Sequence, residues 1–155
     1  MMPVSEGHLK EMEAHAREEY PFECCGILIG KPGTPAQDRL FRCTNIQNRL
    51  HELDPETHPR DARTAFQIEG RELIRIHREA QENGLSIKLF YHSHPDHEAY
   101  FSEEDKRMAL FGDEPTYPDA RYLVISVYNG DIKDHALFEW NPQQRAFERV
   151  ALNPS

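Results

Sequence analysis

Ile87-Lys88-Leu89-Phe90-Tyr91 runs without a break into His92-Ser93-His94-Pro95, and no other stretch constrains the fold as much. Apolar and aromatic residues at this density predict a buried strand, and Pro95 ends it because proline has no amide to offer a ladder. Alternate side chains of an extended strand share a face, so His92 and His94 point the same way. Their Cα atoms then stand roughly 6.5 to 7 Å apart, from a rise of about 3.3 Å per residue. From that separation two imidazole nitrogens can converge on one zinc ion at about 2.0 to 2.1 Å. A third ligand must come from elsewhere, and Asp105 is the nearest good candidate. Three protein ligands leave a fourth tetrahedral position for water, the arrangement of a catalytic rather than a structural zinc.

The remaining elements follow from spacing and punctuation. Ser5 reads as an N-cap with Val4 and Leu9 as a hydrophobic staple, and Leu9, Met12, Ala16 and Tyr20 keep helical spacing until Pro21. Cys24 to Gly30 reads as a buried strand closed by Lys31-Pro32-Gly33, with Arg39 to Cys43 as its partner. Asn45 to Arg63 is polar and without period, and predicts a long surface excursion. Thr64 to Ile68 reads as a short strand. The next helix carries Leu73, His77 and Ala80 on one stripe, widened by Ile74 and Ile76, and stops at Asn83-Gly84. Ser102 opens another helix through Met108, Ala109 and Leu110. Arg121 to Tyr128 is a strong strand run, and Ala136 to Trp140 forms a hairpin with Ala146 to Leu152. The expectation is one domain over residues 1–155, mixed α/β, with a largely antiparallel sheet and about three helices.

A length of 155 residues is enough for a real core. The net charge of -9 argues against a nucleic-acid partner, which needs a basic face. No apolar run approaches the roughly 20 residues needed to span a bilayer. Met1-Met2-Pro3-Val4-Ser5-Glu6 has neither a basic n-region nor an apolar h-region, so no signal peptide is expected. The 3 cysteines include the adjacent pair Cys24-Cys25 and form no Cys-x-x-Cys. That pattern predicts free thiols in a reducing cytoplasm and gives no support for a thiolate metal site.

Ser102-x-x-Asp105 can be read in two ways. A serine at a helix start with an acidic residue three positions on is a capping box. The same helix start can also hold Asp105 rigidly while its carboxylate reaches a metal. The wider pattern is more specific: His92-Ser93-His94-Pro95, seven residues between His94 and Ser102, then Asp105. With the upstream segment Tyr20-Pro21-Phe22-Glu23-Cys24-Cys25-Gly26-Ile27-Leu28-Ile29-Gly30, it resembles the signature of the JAMM (MPN+/JAB) zinc metalloproteases, in their prokaryotic stand-alone branch.

The resemblance implies an MPN/JAB fold, related to that of the cytidine deaminases. It implies one zinc ion per chain, with His92, His94 and Asp105 as ligands, Glu23 as general base and Ser102 as donor to the oxyanion. It also implies hydrolysis of the bond after the C-terminal Gly-Gly of a ubiquitin-fold or sulfur-carrier protein. Two other functions fit parts of the pattern. A non-catalytic MPN-type interaction module would not need the full ligand set, Glu23 and Ser102. A zinc hydrolase acting on a small molecule, such as a nucleobase deaminase, would carry His-x-Glu and a distant Pro-Cys-x-x-Cys, and neither is present. His97 and Glu98 lie beside the site and read as surface residues, as do His51 and His58. His77 reads as a core histidine, and Cys24 and Cys25 as buried thiols on opposite faces.

Overall fold

The computed structural model describes residues 4–152, so Met1-Met2-Pro3 at one end and residues 153–155 at the other lie outside the description. Ser5 caps helix α1 (Glu6–Glu19), its Oγ accepting the His8 amide at 3.0 Å. The helix buries Leu9, Met12, His15 and Ala16, the expected stripe with His15 added. Strands β1 (Cys25–Lys31) and β2 (Thr34–Cys43) form an antiparallel hairpin. Helices α2 (Gln47–Leu53) and α3 (Gly70–Glu82) follow, then β3 (Ser86–Pro95). Next come α4 (Glu103–Ala109) and a small hairpin of β4 (Leu110–Phe111) and β5 (Glu114–Pro115). Strands β6 (Arg121–Tyr128), β7 (Asp131–Asn141) and β8 (Ala146–Val150) complete the chain.

One six-stranded sheet has the order β2-β1-β3-β6-β7-β8. Only β3 and β6 pair in parallel, and every other neighbour is antiparallel. A parallel pair needs a crossover, and here α4 rides on it. The sheet is buried on both faces, which is why β1, β3 and β6 read as nearly continuous apolar runs. One face packs Cys25, Ile27, Ile29, Phe90, Tyr122 and Val124 with Ile76 and Ala80 of α3 and Ala109 of α4. The other packs Cys24, Leu28, Leu89, Tyr91, Leu123 and Ile125 against Leu9, Met12 and Ala16 of α1.

A buried ion pair sits within this frame. Lys88 Nζ lies 2.9 and 3.0 Å from the two carboxylate oxygens of Asp38, with side chains only 4% and 2% exposed. Gly30 leaves room for it, since a Cβ there would lie 2.0 Å from Asp38 Oδ1.

The structure differs from the sequence expectation at four places. The Asn45–Arg63 segment is not structureless, because it contains α2, and the helices number four rather than about three. Thr64 to Ile68 is not a strand. Its only ladder contact is an isolated bridge between Asn45 and Ile68. His77 is exposed rather than in the core, with its Nε2 2.9 Å from the Tyr117 hydroxyl. Ile74 is also outside the core, at 61% exposed, so the buried stripe of α3 is Ile76 and Ala80. Among the described residues no helix is long and apolar enough to cross a membrane.

Candidate metal centre

Strand alternation puts His92 and His94 on the α3–α4 face of the sheet and Ser93 on the α1 face. The two Nε2 atoms stand 3.3 Å apart. Asp105, from the first turn of α4, brings Oδ2 to 3.0 Å from His92 Nε2 and 3.1 Å from His94 Nε2. All three side chains are buried, and the group could hold a metal ion. Ligand atoms around a tetrahedral ion with bonds of about 2.0 to 2.1 Å stand ~3.3 Å apart. The observed triangle has that size, so the residues fit the ion their spacing implies.

A hydrogen bond orients His94, and Phe66 packs on His92, whose buried Nδ1 has no hydrogen-bond partner among the described residues. The Glu98 carbonyl lies 2.9 Å from His94 Nδ1. A carbonyl can only accept, so Nδ1 donates to it and Nε2 is turned toward the centre. Phe66 stacks on the His92 ring at 4.6 Å between centroids, and Tyr100 meets the His94 ring edge-on at 5.2 Å. Burial opposes ionisation of Asp105, but the charge and hydrogen bonds of His92 and His94 outweigh it and hold its carboxyl well below the usual range. Asp105 is therefore a carboxylate.

Ser102-x-x-Asp105 forms the capping box, and the same carboxylate lies against the two imidazoles. Ser102 Oγ accepts the Asp105 amide at 3.0 Å, and Asp105 Oδ2 accepts the Ser102 amide at 3.0 Å, a complete capping box. The cap fixes the carboxylate that faces the two imidazoles. Ser102 is half-buried, and its hydroxyl proton is not needed for the cap.

Glu23 reaches the centre through the β1–β3 register. Cys25 pairs with His92, and the Cys24 amide donates to Ser93 Oγ at 2.8 Å. Extending this register one residue beyond the Cys24–Ser93 contact brings Glu23, which lies outside β1, level with His94. It is 3% exposed, and Oε1 has no hydrogen-bond partner among the described residues. Burial first, and the negative charge of Asp105 second, push its carboxyl well above the ordinary range, against a smaller pull from Arg60. A poised proton acceptor of this kind marks functional sites.

The other sequence candidates fall outside the centre. Glu98 and His97 serve through their backbone: the Glu98 carbonyl meets His94, and the His97 carbonyl accepts the Ser126 hydroxyl. The Glu98 side chain turns away to Lys133 and Tyr128. His51 bonds the His58 carbonyl within its own segment. Burial pushes the Cys24 and Cys43 thiols up to about 12 and raises Cys25 as well, so none is a thiolate at neutral pH. The contacts of Asn45 and Ser93 with this segment are not legible in the sequence, because only the folded sheet brings their partners to them.

Comparison with known proteins agrees with this architecture. The family model described as prokaryotic homologs of the JAB domain matches residues 5–142. Proteins named CysO-cysteine peptidase from Mycobacterium bovis and Mycobacterium tuberculosis are 30% identical over 115 residues, which is 74% of this chain and 66% of theirs. A solution structure from Desulfitobacterium hafniense superposes with a TM-score of 0.72 at 23% identity, covering 100% of this chain and 93% of that one. One from Salinibacter ruber gives 0.65 at 26% identity, covering 99% and 92%. A crystal structure of a JAB1/MPN domain protein from Archaeoglobus fulgidus gives 0.51 at 18% identity, covering 100% and 97%. With the model matched from the cap of α1 to the end of β7, the chain belongs to the prokaryotic JAB family.

Proposed function

We propose that the chain is a zinc-dependent peptidase or isopeptidase that hydrolyses the bond after the C-terminal Gly-Gly of a sulfur-carrier or other ubiquitin-like protein. The observation that carries this reading is a metal-sized triangle of His92, His94 and Asp105 with the buried, unpartnered carboxyl of Glu23 beside it. The likeness to proteins named CysO-cysteine peptidase favours a sulfur carrier as substrate and a single residue as leaving group. Three free cysteines suit a reducing compartment, the cytoplasm.

A zinc ion held by His92, His94 and Asp105 supplies Lewis acidity that polarises the scissile carbonyl and lowers the pKa of water from 15.7 to about 7. Glu23 takes the proton from the attacking water on its carboxylate. Its raised affinity for protons makes it a stronger acceptor than an ordinary carboxylate. The same carboxyl then delivers the proton to the departing amine. Ser102 donates its hydroxyl to the oxyanion, a contact worth roughly 3 to 4 kcal/mol where one such donor has been removed. The Glu98 carbonyl keeps the His94 imidazole aligned throughout.

Metal analysis combined with cleavage of a sulfur-carrier fusion ending in Gly-Gly-Cys tests the reading. We expect about one zinc per chain, and cleavage that vanishes in Glu23→Gln while zinc is retained. Full activity in that variant, or in chelator-stripped protein, would sink the mechanism. Zinc binding without cleavage of any Gly-Gly substrate would move the assignment to a small-molecule hydrolase or an interaction module.

A further inference from the structure

We propose that Asn45 is the positioning residue for Glu23, a role that rests on Glu23 being the general base. The Glu23 carboxyl has no fixed partner on Oε1, so its location is set by the backbone that carries it. Glu23 lies just before β1, and its two backbone groups are held from outside the sheet. Its amide donates to the Ala62 carbonyl at 2.7 Å. Its carbonyl accepts Asn45 Nδ2 at 2.9 Å.

The rest of the Asn45 amide is committed as well. Nδ2 also donates to the Ala65 carbonyl at 3.2 Å. Oδ1 accepts the amides of Gln47 and Gln67, both at 3.0 Å. One side chain therefore joins the base, the start of α2 and the 65–67 segment, whose Phe66 stacks on the His92 ring. Only a short side chain with both a donor and an acceptor can make this set of bonds. Aspartate has no donor for the Glu23 carbonyl, and alanine has neither group. A misplacement of about 1 Å at a reacting group can cost on the order of 10²-fold in rate, so the clamp acts on turnover rather than on substrate affinity.

The Asn45→Asp variant tests the clamp, because it keeps the acceptor for Gln47 and Gln67 and puts a charged, acceptor-only oxygen where Nδ2 met the Glu23 and Ala65 carbonyls. In zinc-free protein we expect the Glu23 amide to exchange with solvent at least ~10-fold faster in Asn45→Asp, with the Gln67 amide still protected. In zinc-loaded protein we expect kcat on the Gly-Gly-Cys fusion to fall about 10- to 100-fold, with KM unchanged and one zinc retained. Wild-type kcat together with an unchanged Glu23 amide would overturn the proposal. So would a loss of zinc in Asn45→Asp with KM and kcat failing together, which marks a merely structural role.

If the variant does not fold, the unsubstituted protein still decides. Its Asn45 side-chain NH2 must exchange slowly, and fast exchange would refute the clamp. Failure of the wild type to cut any Gly-Gly substrate would count against the proposed function, and the exchange measurements would still settle the clamp.

Discussion

Ser93 and Cys24 lock the strand of the histidines to the segment of the base: the Cys24 amide donates to Ser93 Oγ at 2.8 Å, and the Ser93 amide donates to the Cys24 carbonyl at 3.2 Å. The hydroxyl between the two imidazoles thus faces away from the His92–His94–Asp105 cluster and fixes the neighbour of Glu23. Removing it in Ser93→Ala leaves a buried amide without an acceptor. The expected loss is roughly 1 to 3 kcal/mol of stability, read from the urea midpoint, with zinc content unchanged and turnover reduced. An unchanged midpoint would show that the bond is dispensable.

Glu23 makes stability depend on pH. Its carboxyl binds a proton more tightly in the folded chain than in the unfolded one, because burial penalises the charge. That contribution is fully present below the ordinary carboxyl pKa of about 4.3 and is lost as pH rises through the raised value, where folding must bury a carboxylate. Metal-free protein should therefore lose stability through this group as pH rises above the ordinary carboxyl range. Glu23→Gln should flatten the slope and raise the melting temperature at pH 8 while abolishing activity. Parallel slopes for the two proteins would contradict this account.

Asp105 has two duties that the amide analogue can separate. Asp105→Asn keeps an oxygen for the Ser102 amide, so the α4 cap survives, but it removes the charge that attracts a cation. We expect α4 to stay formed and zinc affinity to fall on the order of 10- to 100-fold or more, measured by competition with a chromogenic chelator. Ser102→Ala should act in the reverse sense, costing about 1 kcal/mol of stability while zinc is retained.

The Asp38–Lys88 pair predicts a non-additive result. Lys88→Met strands a buried carboxylate and should cost about 3 to 5 kcal/mol, whereas Lys88→Met combined with Asp38→Leu should be close to neutral. Denaturant titration of the single and double variants checks this. Gly30→Ala belongs to the same unit, because its Cβ would lie 2.0 Å from Asp38 Oδ1 and 2.7 Å from Lys88 Cδ.

Much of the frame was legible because local chemistry and tertiary need coincide there. Arg121–Tyr128 is the strand its β-branched and aromatic run predicts, and Ser5 caps α1 as read. His92, His94 and Asp105 converge as their spacing implies. Helix α2 escaped notice because its signals are not local. It starts at Ile46 without a side-chain cap, buries only Gln47, and leaves Leu53 75% exposed. What holds it is remote: Gln47 Nε2 to the Arg60 carbonyl, and Asn48 Oδ1 to the Ala62 amide. Asn45 was hidden for the same reason, since an asparagine after a strand ordinarily marks a turn. His77 follows the apolar stripe in spacing, yet the face of α3 that is buried is that of Ile76 and Ala80, and His77 meets Tyr117 at the surface.

The division of the adjacent cysteines between two cores has a consequence for how this sequence can drift. Cys25 belongs to the core under α3 and α4, and Cys24 to the core under α1. Gaining or losing one residue between Glu23 and Gly26 would exchange the two sets of side chains and turn the base to the wrong side of the sheet. Length changes in the β1–β2 turn or the Asn141–Arg145 turn touch neither. Insertions at the hairpin tips should therefore be tolerated in this chain, whereas one between Glu23 and Gly26 should unfold it or displace Glu23.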